Sequence, residues 1–155
     1  ISGKTAELFK LASQEGAYFS GADETVVRLA GRIVYHIGMT FQILDDILDY
    51  TADQKAFNKP VLEDISNRVY SLPLLFALRE NPFALKPLLD KKESISSQEL
   101  KEVANLVIAN KGVDQAKDLA RKYTQKAIDD IEKLPKSKAK KQLIQLTNQL
   151  LKRNI

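Results

Sequence analysis

ETVVRLAGRIVYHIGMTFQILDDILDYT, residues 24–51, holds no proline and carries apolar residues at helical spacing. Val26, Ala30, Ile33, Ile37, Phe41, Leu44 and Leu48 step by three or four, so in an α-helix they form one stripe, which is expected to be buried. A second stripe runs beside it: Gln42, Asp45, Asp46 and Asp49, at i, i+3, i+4 and i+7. At 100° per residue these four span an arc of about 100°. Gly31, Val34, Tyr35, Gly38 and Met39 lie behind them on the same side.

Aspartate is a mediocre helix former, and like charges at i, i+4 destabilise a helix by roughly a few tenths of a kcal/mol. The conflict is relieved if a cation sits among the carboxylates. Hard oxygens suit Mg²⁺, which takes one or two carboxylates, several waters and the oxygens of a bound phosphate. Asp45-Asp46-x-x-Asp49 therefore reads as a magnesium bridge to a diphosphate. The alternative for these three residues alone is a plain solvated acidic face.

Helical pattern extends outward in both directions. Lys4 to Phe19 predicts a helix stopped by Gly21, and Asp23 or Ser20 is placed to cap the long helix that follows. Ala52–Asn67 has mixed charge, a proline and no clear period, so it reads as a loop, long enough to suggest a functional one. Helices are predicted over Val69–Arg79, Ala84–Leu89, Ser96 or Ser97 to Asn110, Asp114–Leu134 and Lys136–Lys152. Lys111-Gly112 and Pro135 act as breaks, and Glu99 or Glu102 is suited to a capping interaction. Tyr18, Phe19, Tyr70 and Phe76 are expected in the core. No stretch alternates as a strand does. The class is all-α, an antiparallel helical bundle.

The 155 residues contain no cysteine, which excludes a disulfide framework or thiolate metal site and suits a cytoplasmic compartment. The net charge of +4 is unevenly spread: residues 1–64 hold six basic against ten acidic residues, and from Lys133 onward there are seven basic and no acidic residues. That tail reads first as a solvated helix face, with a peripheral membrane contact as the alternative. It holds no aromatic side chain, which argues against nucleic acid.

The neighbours of the aspartates form an ordered set. Lys4-Thr5 opens the first helix, Phe41-Gln42 precedes Asp45, Lys59-Pro60 and Asp64 lie on the loop, and Ser71-Leu72-Pro73 follows. The order resembles the trans-isoprenyl diphosphate synthases: K-T, then F-Q-x-x-D-D-x-x-D, then G-K-P-x-G-x-D, then T-L-P. Heptaprenyl and other medium-chain polyprenyl synthase catalytic subunits are the nearest pattern. The likeness covers residues 1–80 in motif detail and the rest by helical pattern. It implies the carboxyl-terminal half of an isoprenoid-synthase fold, with the amino-terminal half and its first aspartate-rich motif absent.

The resemblance also implies a magnesium-dependent prenyltransferase, which joins an allylic diphosphate to isopentenyl diphosphate to make an all-trans polyprenyl diphosphate. Asp45, Asp46 and Asp49 would hold the metal, Asp46 as a ligand or as a supporting carboxylate. Lys4 and Lys59 would bind the diphosphate, and Thr5 and Gln42 would orient substrate. Asp45, Asp46 and Lys59 are the residues expected to carry catalysis, and a homodimer or heterodimer is expected of the intact protein. Two loop glycines of the family are Asn58 and Leu62 here, which puts the geometry of Lys59 and Asp64 in question but not their chemical types. The alternatives are a regulatory subunit that binds diphosphate without turnover and, further off, a terpene cyclase relative. His36, the one histidine, points away from Asp45 and Asp49 and is not expected to bind metal.

Overall fold

The computed structural model describes residues 6–51, 65, 69–91 and 94–152. Among them there are helices and no strand: α1 (Glu7–Phe19), α2 (Glu24–Thr51), α3 (Leu72–Glu80), α4 (Pro82–Leu89), α5 (Ser97–Ala109), α6 (Gly112–Glu132) and α7 (Lys138–Lys152). Asp23 rather than Ser20 caps α2, since the Val26 N–H donates to Asp23 Oδ1 at 3.0 Å while the Ser20 hydroxyl donates back to the Ala17 carbonyl. Ser96 and Glu99 close a reciprocal capping box on α5. Lys91 and Ser96 donate to Glu99 and hold its carboxyl down to about 2. The third helix starts at Leu72, three residues later than its periodicity suggests, because Pro73 is tolerated only in a first turn.

The chain divides into two compact units, residues 1–44 with 119–155, and residues 45–118. In the first unit α1 lies antiparallel to α2. An added Cβ at Gly38 would stand 3.0 Å from Ala6 Cα, and at Gly31 it would meet the Gln14 side chain, so the two glycines let α1 approach. The last turns of α6 run along another side of α2. Arg32 donates two bonds to Asp130 (3.0 and 2.7 Å), and Thr40 meets Thr124 at 3.3 Å between two buried hydroxyls. Leu29, Ile33 and Ile131 form the core here, packed by Val34, Ile37, Leu134, Leu143 and Ile144.

Several burial expectations need correction. Phe41 and Leu48 are 45% and 38% exposed, whereas Leu29, Ile43 and Ile47 are buried. A single stripe describes a helix packed on one side, but in this unit α2 is contacted on two. Tyr18 and Phe19 are 67% and 79% exposed, and α1 buries no residue at all. Tyr70 and Phe76 are half-buried.

Burial pushes the Asp130 carboxyl up, but hydrogen bonds from Lys133 and Arg32 outweigh it and hold the group below its ordinary value. A carboxyl whose pKa falls on folding stabilises the protein above its unfolded value of about 3.9, and that contribution is lost as pH falls through the folded value. Asp130→Asn should therefore lower stability by about 1–2 kcal/mol at neutral pH, a figure discounted because Arg32 and Lys133 are more than half exposed. Urea titrations should show the gap between variant and wild type closing below about pH 4. A gap independent of pH would mean that packing, not charge, sets the loss.

In the second unit α3, α4 and α5 pack together around Leu74, Ala77, Leu85, Leu89, Leu100 and Val107. Arg79 donates to Gln115 Oε1 at 2.7 Å, and Gln115 in turn donates to Glu80, joining α3 to the start of α6. Lys111, not Gly112, takes the left-handed conformation (φ 58°) between α5 and α6. Gly112 opens α6 and is there for space. A Cβ on it would overlap the Pro73 carbonyl oxygen and stand 3.0 Å from that of Val107.

Candidate functional site

The aspartates occupy the final turns of α2, inside the second unit. Helical geometry sends them in two directions. Asp46, half-buried, turns toward α3, where its Oδ2 accepts the Leu72 backbone N–H at 2.9 Å. One turn on, the Tyr50 and Ser71 hydroxyls meet at 2.7 Å. Ser71 occupies the cap position of α3 without capping it by its own side chain, so Asp46 supplies an acceptor for the unpaired amides of that helix start. Two hydrogen bonds thus tie the aspartate turn to the Ser71-Leu72-Pro73 segment.

Asp45 and Asp49 are exposed and four residues apart on one face. Burial first, and the neighbouring Asp46 carboxylate second, push the Asp45 carboxyl above its ordinary value. Both causes penalise its negative charge, and a cation would relieve both. Among the described residues no three His, Cys, Asp or Glu side chains are grouped to hold a metal. Mg²⁺ does not require that, because one or two carboxylates suffice when phosphate and water complete its shell. Asp45 and Asp49, acceptor-only groups one turn apart, fit that requirement.

The other predicted site residues divide. Gln42 is half-buried on α2 and belongs to the first unit. Lys4, Thr5, Lys59 and Asp64 lie outside the described residues, as do Asn58 and Leu62. His36 lies in the first unit with its Nδ1 buried, without a hydrogen bond and 3.8 Å from Asp130. Burial holds it below its ordinary value against the pull of Asp130. Its place is beside the Arg32–Asp130 pair.

Sequence reading missed the bonds from Asp46 and Tyr50 to the α3 start. The available signal was a helix opening on Leu-Pro, whose first amides need acceptors, downstream of a surplus carboxylate. Asp46→Ala should lower stability by about 1–2 kcal/mol through loss of this cap, while Asp46→Asn, which keeps an acceptor oxygen, should lose much less. Thermal unfolding of the two variants checks the difference; equal losses would point to charge rather than capping.

The polyprenyl synthetase family model matches residues 1–107. Over 154 residues the chain is 34% identical to heptaprenyl diphosphate synthase component 2 of Bacillus subtilis, covering 99% of this chain and 44% of that protein. The crystal structure of geranylgeranyl pyrophosphate synthase from Lactobacillus brevis is similar at a TM-score of 0.92 and 46% identity, over 99% of this chain and 49% of that one. The corresponding enzyme of Corynebacterium glutamicum, solved with calcium and isoprenyl diphosphate, is similar at a TM-score of 0.82 and 27% identity, over 99% and 48% of the two chains. The chain spans about a third to a half of the length of the curated relatives it matches. Among the described residues no helix is long and apolar enough to cross a membrane.

Proposed function

We propose, for a chain that belongs to the polyprenyl synthetase family, that its aspartate face is the diphosphate-binding half of a prenyltransferase site. The intact protein would join an allylic diphosphate to isopentenyl diphosphate and release an all-trans polyprenyl diphosphate. The observation that carries this reading is the division of labour on α2: Asp46 is engaged by α3, while Asp45 and Asp49 remain exposed on a shared face. The calcium and isoprenyl diphosphate in the Corynebacterium structure are the ligand chemistry such a face would take.

Asp45 and Asp49 would hold Mg²⁺, which when bound neutralises charge on the departing diphosphate. Asp46 holds the turn that presents them, which supports the second of the two roles expected of it, a supporting carboxylate rather than a ligand. Lys4 and Lys59 would donate charge-assisted hydrogen bonds to the diphosphate oxygens, and Thr5 and Gln42 would orient the substrate. The side chains do their work before the carbon–oxygen bond breaks, by fixing the charged end so that the allylic carbon faces its acceptor. A dimer, homomeric or with a different subunit, belongs to the same reading, since one relative is named as component 2 of its synthase. So do a cytoplasmic location and a peripheral membrane contact through the basic carboxyl-terminal helix.

The 155-residue chain by itself is expected to show no prenyl transfer, because both substrates must be held in attack geometry and it carries a single aspartate-rich motif. Weak diphosphate binding that requires Mg²⁺ should survive. Radiolabelled isopentenyl diphosphate incorporation and calorimetric titration with pyrophosphate read the two separately. Polyprenyl product from the isolated chain would overturn this account of the site. A diphosphate-binding regulatory subunit is the reading to adopt if the intact protein binds pyrophosphate with Mg²⁺ and never turns over.

A further inference from the structure

The six lysines from Lys133 to Lys152 do not share one task. Lys140 sits on the inward side of α7, its side chain only 13% exposed, and is consumed by the fold. It pairs with Glu132 at 2.9 Å and donates to the Glu132 and Leu134 carbonyls, closing the end of α6. Lys133 is engaged by Asp130. Lys136, Lys138 and Lys141 are exposed around an open concavity of about 710 Å³ with Ile144 in its lining, and no ion pair is formed by any of the three among the described residues. The one carboxylate in that lining, Glu132, is the partner of Lys140.

Helical periodicity extends the surface along α7. Thr147 is buried, and Leu143 and Ile144 pack on the core of the first unit. The opposite arc presents Lys138, Lys141, Gln142, Gln145, Leu146 and Gln149, all exposed, with Leu146 at 62%. This face has cations at one end, neutral amides along it, one projecting apolar side chain and no carboxylate. A helix of that make-up suits the plane of a bilayer surface, with ammonium groups among anionic headgroups and a leucine dipped beneath them. Nucleic acid is the weaker fit, because no aromatic side chain lies anywhere after Lys133 to stack on bases.

We infer that the outward face of α7, with Lys138, Lys141 and the preceding Lys136 as its charged end, docks the protein on a membrane rich in anionic phospholipid. This rests on and deepens the proposed function: a polyprenyl chain is stabilised when buried in a bilayer, so release beside one would drain product away from the site.

The test is flotation of the 155-residue chain with vesicles of phosphatidylcholine alone or mixed with phosphatidylglycerol. Neither substrate nor metal is needed, so the outcome is independent of whether the prenyltransferase reading holds. Binding is expected to the mixed vesicles only, and to fade as salt is raised. Each lysine near an anionic surface is worth roughly a five-fold change in partitioning, so Lys136→Gln, Lys138→Gln and Lys141→Gln together should lower it by on the order of a hundred-fold. Leu146→Gln should lower it further, and Lys101→Gln, on α5, should leave it unchanged. Circular dichroism melting confirms that the variants fold. Equal binding to neutral vesicles, full binding by the triple variant, or displacement from mixed vesicles by duplex DNA would overturn the inference.

Discussion

On the proposed prenyltransferase reading, Asp45→Ala in the intact protein should lower kcat on the order of a hundred- to a thousand-fold, with a much smaller change in KM. In the proposed reaction the diphosphate would gain negative charge as its bond to the allylic carbon stretches, so a carboxylate holding a neutralising cation would act mainly in the transition state. Asp45 is exposed and, among the described residues, makes no structural bond of the kind that ties Asp46 to Leu72, so the fold should be retained. Thermal melting of the variant beside its kinetics separates lost chemistry from lost structure. Asp45→Asn should be nearly as impaired, because it keeps the shape and removes the charge. A chelator should abolish turnover in the wild type. Lys59→Ala should weaken turnover less. Full activity in the Asp45 variant, or with chelator present, would refute the assignment.

Gly112→Ala is expected to be the most damaging small substitution for stability, at about 3 kcal/mol or more. Overpacking normally meets side chains that can rotate away, but the new methyl would meet backbone: the Pro73 carbonyl oxygen, with the Val107 carbonyl at 3.0 Å and Ala77 Cβ at 3.1 Å behind it. Pro73 is locked in the first turn of α3, next to the Leu72 amide that Asp46 holds. Relief therefore requires α3 or α6 to shift, which would disturb the link between α3 and the aspartate turn. In the intact protein the proposed activity should be lost along with stability. Denaturant unfolding gives the first quantity; a loss under 1 kcal/mol would show that the helices yield more easily than their packing implies. Gly31→Ala is the contrast, since its nearest neighbours are atoms of the flexible Gln14 side chain, which can swing aside.

The chain's own residues determined the all-helical class, the long α2 with its two stripes, and the capping box of Ser96 and Glu99, since these depend on interactions within three or four positions. The acidic run was legible for the same reason: 45, 46 and 49 fall within about 100° of arc on any α-helix. Tertiary contacts decided the rest. Nothing local distinguishes Asp46 from Asp45, and only the approach of α3 turns one into a helix cap and leaves the other exposed. Tyr18 and Phe19 read as core because hydrophobic side chains usually are, yet burial requires a neighbour, and α1 has none over that face among the described residues. The Lys111-Gly112 pair makes the same point. Sequence reading marks the pair as a break, but only the fold divides the work: Lys111 takes the left-handed conformation, and Gly112 is needed because the space beside Pro73 admits no Cβ. Torsional preference is a property of one residue, whereas excluded volume belongs to two segments 39 positions apart, Pro73 and Gly112, that only the fold brings together.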